Sequence, residues 1–537
     1  ILPPRGPKPP ALSLRPAPIF SADAAMPFLR ILLLLLALAP VEARAIPPVL
    51  TYRVDLTQRA DDQFRVTLAV SGLTPANAVY QFASTAPGTY QVMDIGRYVR
   101  AFEALDAAGK PVPTERVSVN QWRLSDPARV RTIRYRMAET WDTPVSEHQV
   151  YLMCGTSLEA DHALINPHAV IGYPTGMQAT PVHLRLTYPR DWKIGTSLAR
   201  DRAGEYVAAN YDELVDSPIL LGRLSEAHTT VTGVPVAIYT YSKTNEITST
   251  QLLGAMNGML QAAGRFLGKL PVDRYTFLYH FEDKPAGAWE HSFSSEYVLA
   301  EAPYSDSVGQ RVTDIAAHEF FHVVTPLNIH SEIIEHFNFV TPVPSQHLWL
   351  YEGTTEWAAQ KMQLEGGLKT PEQYLQTVIT KMRVDRAAFD TSYSLRELAL
   401  TSYSDSGQKQ YANIYQRGAV TAGLLDLRLL DLSDGRQGLR DLILALTHKY
   451  GKRRAFPEST FVDTLVAMTH PEIRDFFDRY VWDSQRLPVA EYYEKLGIRL
   501  VSDSLGRPDH FEIDPHPSAR QALLREAWLG RRPREAS

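Results

Sequence analysis

The hydrophobic pattern of this 537-residue chain changes period once, near Asn245, and that change narrows the folds open to it. From Leu50 to about Ser242 apolar and polar residues alternate: Tyr52, Val54 and Leu56, then, after a turn around Arg59 to Asp62, Phe64, Val66, Leu68 and Val70. Stretches of the same kind recur at 122–124, 133–137, 182–186 and 236–241. Alternation lays one face of an extended chain on a core, so this part is predicted to be an antiparallel β domain. Past Asn245 the spacing turns helical over 247–267, with short strands predicted at 275–279 and 296–299. From Val312 onward helices dominate, broken at Pro326, Pro342 to Pro344, Gly366–Gly367 and Pro457. Strands followed by helices predict an α+β arrangement: a β-rich domain over 46–242, a mixed domain over 243–367 and a helical domain over 368–500.

Charge and cysteine content remove whole classes of function. Lys and Arg total 55 against 60 Asp and Glu, a formal charge of −5, without the basic footprint of a nucleic-acid binder. The one cysteine, Cys154, cannot form an intrachain disulfide. Near the amino terminus, Met26-Pro27-Phe28-Leu29-Arg30 precedes the apolar run Ile31 to Ala39, and Ala43-Arg44-Ala45 follows. A basic residue, a short apolar stretch and an A-x-A site describe a secretory signal peptide over 26–45, cut after Ala45. The run is too short for a permanent bilayer span, and no cysteine follows it to carry a lipid, so no stable membrane anchor is expected. Residues 1–25 read as upstream sequence outside the functional protein. The expected product is periplasmic or secreted.

One segment carries specific chemistry: His318-Glu319-Phe320-Phe321-His322. On a helix, HExxH stacks two imidazoles one turn apart on one face. Both can reach one Zn²⁺, and the Glu between them can act as general base on a water there. Ser305, Asp306 and Ser307 offer amino-terminal caps, Val312, Ile315, Phe320 and Val323 an apolar side, and Pro326 a stop.

A catalytic zinc needs a third protein ligand. A third His six residues on, with a mid-point Gly, is excluded, because Asn328 and Thr325 stand there. A Glu on a later helix remains, and Leu348-Trp349-Leu350-Tyr351-Glu352-Gly353-Thr354-Thr355-Glu356-Trp357 offers Glu352. Glu356, one turn on, could accept a hydrogen bond from a ligand His. Gly353 costs about 1 kcal/mol against Ala in a helix, so it calls for a packing or functional reason. Glu332 and Glu335 are nearer in sequence but lack helical apolar support.

HEFFH, a gap of 29 residues and the Glu of LWLYEGTTEW together resemble the glycyl aminopeptidase family of gluzincin zinc metallopeptidases. Pro87-Gly88-Thr89-Tyr90, with Asp94 and Arg97, is similar to that family's PGxY segment. Residues 211–218, YDELVDSP, are similar to the segment closing its first domain. Gly287-Ala288-Trp289-Glu290-His291 is similar to the family's GGLEH and to the GAMEN of related aminopeptidases. The resemblance implies that this strand binds the substrate backbone, that Glu290 holds a free substrate amine, and that Trp289 lines the first side-chain pocket. Ile414-Tyr415-Gln416-Arg417-Gly418-Ala419 resembles a segment whose Tyr donates to the tetrahedral intermediate; Tyr411 is the nearest competitor for that role.

The resemblance thus implies a thermolysin-like fold over 243–367 and one zinc held by His318, His322 and Glu352. It also implies catalysis by Glu319 and Tyr415, and peptide substrates with a free amino terminus and a small first residue such as Gly or Ala. Two features depart from the family. Residues 323–328, VVTPLN, replace the usual WNVKR, so contacts from that segment do not carry over. Only 40 residues follow Gly497, so 501–537 is expected to be a short tail without a full PDZ domain. A zinc endopeptidase and a catalytically silent peptide-binding protein stay open as alternatives.

Overall fold

The computed structural model describes residues 49–284 and 287–531; the expected upstream segment and signal peptide lie outside them. The first part is β-rich. Its largest sheet has eight strands in the order 199–200, 206–208, 182–187, 50–55, 63–69, 132–138, 99–105, 111–112. All neighbours run antiparallel except Leu50–Asp55 beside Val182–Thr187, which are parallel. Leu50, Tyr52 and Val54 point inward and meet Leu68 and Val66 across the ladder, as their alternation requires.

A second sheet carries the cleft. Its strands are β1 (Ser225–Val231), β2 (Val234–Ser242), β3 (Tyr275–Glu282), β4 (Gly287–His291) and β5 (Ser294–Ala300), in the order β1-β2-β3-β5-β4. The β1–β2 hairpin has the same period-two pattern as the strands before it, yet it pairs in parallel with β3. Period alone cannot tell which sheet a strand joins. The β2-to-β3 crossover is helix α1 (Ser249–Leu267), capped by Thr248 and Gln251 in a reciprocal pair. Strand β4 runs antiparallel at the sheet edge, so one side of its backbone is left free of ladder partners.

Strand β3 is buried on both faces. Tyr275, Phe277, Tyr279 and Phe281 pack with α1 and α2 (Asp306–Phe321), while Leu278 meets Leu164 and Leu220 of the β-rich part. Helix α3 (Thr355–Glu365) closes the mixed part, and α4 (Arg417–Leu432) lies in the helical part that follows. The segment expected to be a tail is folded: Ile498–Ser502 and Pro508–Ile513 form a hairpin, and helix Ala519–Trp528 buries Trp528. Among the described residues no helix is long and apolar enough to cross a membrane.

Candidate active site

Helix α2 starts where the Ser305 hydroxyl accepts the Val308 amide at 3.3 Å, with Asp306 in the first turn. Val308, Val312, Ala316 and Phe320 bury its apolar side. His318 and Glu319 lie near its end, and His322 caps it. Opposite them, Trp349–Thr354 form a π-helical turn, wholly buried, that runs into α3. Such turns are rare and concentrate at functional sites.

Gly353 has its reason here. A Cβ on it would stand 2.9 Å from the Cα of Gly418, and one on Gly418 would stand 3.0 Å from the Cα of Gly353. The two backbones therefore touch, which carries the amino-terminal end of α4, and Tyr415 just before it, up to Glu352.

The result is a buried cluster. Glu352 Oε2 lies 3.4 Å from His318 Nε2 and 3.6 Å from His322 Nε2. The other nitrogen of each ring is already engaged: His318 Nδ1 donates to Glu356 Oε2 and His322 Nδ1 to the Thr325 carbonyl, both at 2.9 Å. Acceptor-only partners keep the proton on Nδ1, leaving the Nε2 lone pairs to converge beside a carboxylate. Two imidazoles and one carboxylate in this arrangement fit a zinc ion. Burial brings His322 down to about 4, which favours the neutral ring. Burial works against the charge on Glu356, yet Lys381, 2.7 Å away, and His318 hold its carboxyl down to about 2. Glu332 and Glu335 stand elsewhere, accepting the amides of Glu458 and Ala455.

Glu319 and Glu290 face the same space, each within 4.8 Å of the other and of His322. Burial pushes the Glu319 carboxyl up to about 8, with Glu352 adding to the rise, and burial followed by Glu352 and Glu319 drives Glu290 well above the usual range. Burial and crowding thus favour the protonated form of Glu319 and Glu290, and a cation placed among them would favour the charged form. Gly88 makes room for Glu290: its φ is +76°, and a Cβ there would come 2.6 Å from Glu290 Oε1. The enclosing cleft of about 440 Å³ is lined by Gly287, Ala288 and Glu290 of β4, by Tyr151, Met153 and Cys154 from the β-rich part, and by Tyr411 and Tyr415. The two tyrosine hydroxyls are 3.0 Å apart, and the Tyr415 ring centre is 5.5 Å from that of His318.

Trp289 departs from its expected place. It contributes to the cleft wall, but its side chain is 3% exposed and belongs to the core of the β-rich part. Its indole packs against His168 and His291 and donates to the Pro87 carbonyl at 3.1 Å. Its Nε1 reaches the same Gly88 turn as Glu290: a Cβ on Gly88 would come 2.8 Å from Trp289 Nε1 and 2.6 Å from Glu290 Oε1, so the indole braces β4 against the PGTY segment. His291 extends that brace, with Nδ1 3.4 Å from Asp216 of the YDELVDSP segment.

Tyr90, part of the PGTY segment, joins the cluster as well. At φ 48° it donates its hydroxyl to Glu352 Oε1 at 3.3 Å across 262 positions. The PGTY motif was the available signal. Lys381, which pairs with Glu356, had none.

Comparison with known proteins follows the same lines. Residues 51–223 match the peptidase M61 N-terminal domain and residues 311–421 the M61 glycyl aminopeptidase, together over half of the chain. The fold is similar to that of an aminopeptidase N family protein from Idiomarina loihiensis, with a TM-score of 0.75 and 21% identity over 84% of this chain and 79% of that one. It is also similar to a mutant M1 zinc metallopeptidase from Deinococcus radiodurans bound to a Tyr-Ser-Ala substrate, with a TM-score of 0.51 and 15% identity over 82% and 95% of the two chains. No curated protein matches the chain.

Proposed function

Because the chain belongs to the M61 glycyl aminopeptidase family and is a zinc aminopeptidase, we propose that His318, His322 and Glu352 hold one zinc and that the cleft around it removes amino-terminal residues from peptides. A zinc ion there would supply a Lewis acid and ease the ionisation of a water. Glu319 takes a proton from the water that attacks the scissile carbonyl and passes it to the departing amine. Tyr415 donates to the oxyanion as it develops. The peptide lies along the free edge of β4 as an added strand, contacting Gly287 and Ala288, with its ammonium group on Glu290. The carrying observation is geometric: His318, His322 and Glu352 converge at one end of the cleft, and Glu290 faces the same space beside Glu319, where a substrate amine could pair with it.

A small first residue, Gly or Ala, is part of this reading. Tyr151 and Met153 add bulk beside the start of β4, where Trp289 also contributes to the wall; a Cβ on Gly287 would be 3.5 Å from Met153 Cε. Export is also part of it, resting on the signal-like pattern of residues 26–45.

The test compares one peptide with a free and with an acetylated amino terminus. Loss of a buried ion pair is expected to slow the blocked peptide about 10²-fold, and Glu290→Gln to remove most of that difference. Equal rates on both peptides would favour an endopeptidase. Tyr415→Phe is expected to lower kcat about 10²-fold with KM changed only a few-fold, because the hydroxyl acts in the transition state. A larger kcat loss in Tyr411→Phe would move the role to that residue.

A further inference from the structure

A second cluster of metal-ligating side chains lies where the β-rich part meets the cleft sheet. His280 and Glu282 are two residues apart on β3, on the face that Leu278 turns toward the β-rich part. Facing them is His162, the first residue of strand His162–Ile165. One nitrogen from each ring and one Glu282 oxygen all lie within 4.8 Å of one another, and His162 Nε2 is 3.8 Å from Glu282 Oε1.

The local hydrogen bonds leave these atoms without other work. His162 Nδ1 is 2.9 Å from Asp161 Oδ1, which can only accept, so the proton sits on Nδ1 and Nε2 offers a lone pair. Asp161 is itself held by Arg223 at 2.6 Å, the kind of outer support that ligand histidines have. Lys243, at 3.3 Å, and the Asp283 amide take Glu282 Oε2, leaving Oε1 toward His162. His162 and His280 are 2% and 0% exposed, and among the described residues His162 Nε2 and both nitrogens of His280 have no hydrogen-bond partner. Buried nitrogens are rarely left so. Trp141 stacks on the His280 ring at 4.9 Å and Tyr241 on His162 at 3.8 Å, fixing both ring planes.

We propose that His162, His280 and Glu282 form a second metal site, for a divalent ion of the zinc class, that ties the β-rich part to the cleft sheet. Two imidazoles and one carboxylate suit that ion, and tetrahedral ligands at about 2.0–2.1 Å stand about 3.4 Å apart, within reach of small side-chain rotations. Water completes the shell on the rim, where the Glu282 side chain is 14% exposed. The role is structural, since the site is apart from the cleft.

The full chain, stripped by a chelator and reloaded with Zn²⁺ alone, tests this. An anomalous zinc peak is expected between His162 and His280 in its crystals, separately from any peak at His318 and His322, so the two sites are scored independently. Glu282→Gln, at the rim, is expected to bind one equivalent of zinc less than the parent and to keep its peptide turnover. A water or empty density between the histidines overturns the proposal. So does an unchanged zinc content in a folded Glu282→Gln variant.

Discussion

Glu319→Gln is expected to retain the zinc content of the parent and to lose about 10³-fold in turnover. The amide has the shape of the carboxylate and leaves His318, His322 and Glu352 untouched, so metal content should not move. What it lacks is the ability to take a proton and return it. One residue serves both halves of the proposed proton transfer, and a positioned acid or base contributes about 10²–10⁴-fold. Among the described residues the other carboxylates lining the cleft are engaged: Glu352 faces both imidazoles, Glu356 is tied to His318 and Lys381, Asp314 pairs with Lys369, and Glu290 is the proposed seat of the substrate amine. Zinc analysis beside steady-state rates checks this. Turnover within tenfold of the parent at matched zinc would remove Glu319 from the chemistry.

Glu352→Ala should act on the metal itself. It removes a buried carboxylate whose one oxygen faces both Nε2 atoms and whose other accepts the Tyr90 hydroxyl. Loss of a supporting partner alone typically costs about 10–100-fold in metal affinity, and loss of one of three ligands should cost more. Expected are one equivalent of zinc less after dialysis and peptidase activity near background. Glu335→Ala is the control, since Glu335 accepts the Ala455 amide away from the cluster. The opposite outcome in the pair would assign the ligand to Glu335.

Much of the fold class was legible because period is a local property, whereas pairing is not. The hairpin β1–β2 has the pattern of a β domain but takes its parallel partner from beyond a 19-residue helix. At the centre, HEFFH was legible because both the helix and the donor types lie within five residues. The π-helical turn that carries Glu352 left no comparable trace, since Gly353 marks only a close approach whose other side is residue 418. Trp289 shows the limit of an extended segment read by itself. Alternation would set Trp289 and Glu290 on opposite faces, yet both side chains reach the Gly88 turn, where the indole donates to the Pro87 carbonyl. Tyr90 reaches Glu352 through a turn at positive φ; the PGTY motif marks the segment, while the partner 262 positions away has no local signal.

The contact between Gly353 and Gly418 bears on how this protein can change. Where two side chains touch, growth of one can be absorbed by shrinkage of the other, so the pair has many allowed combinations. Here both positions already lack a side chain, and a Cβ on either would meet the other's backbone at about 3 Å. Neither has anything left to give up. A methyl group at either must be met by moving the chain that carries Glu352 or the chain that carries Tyr415, which alters the spacing of the cleft. The two positions therefore form an interlock without slack, and variation that tunes this cleft has to enter through its other walls.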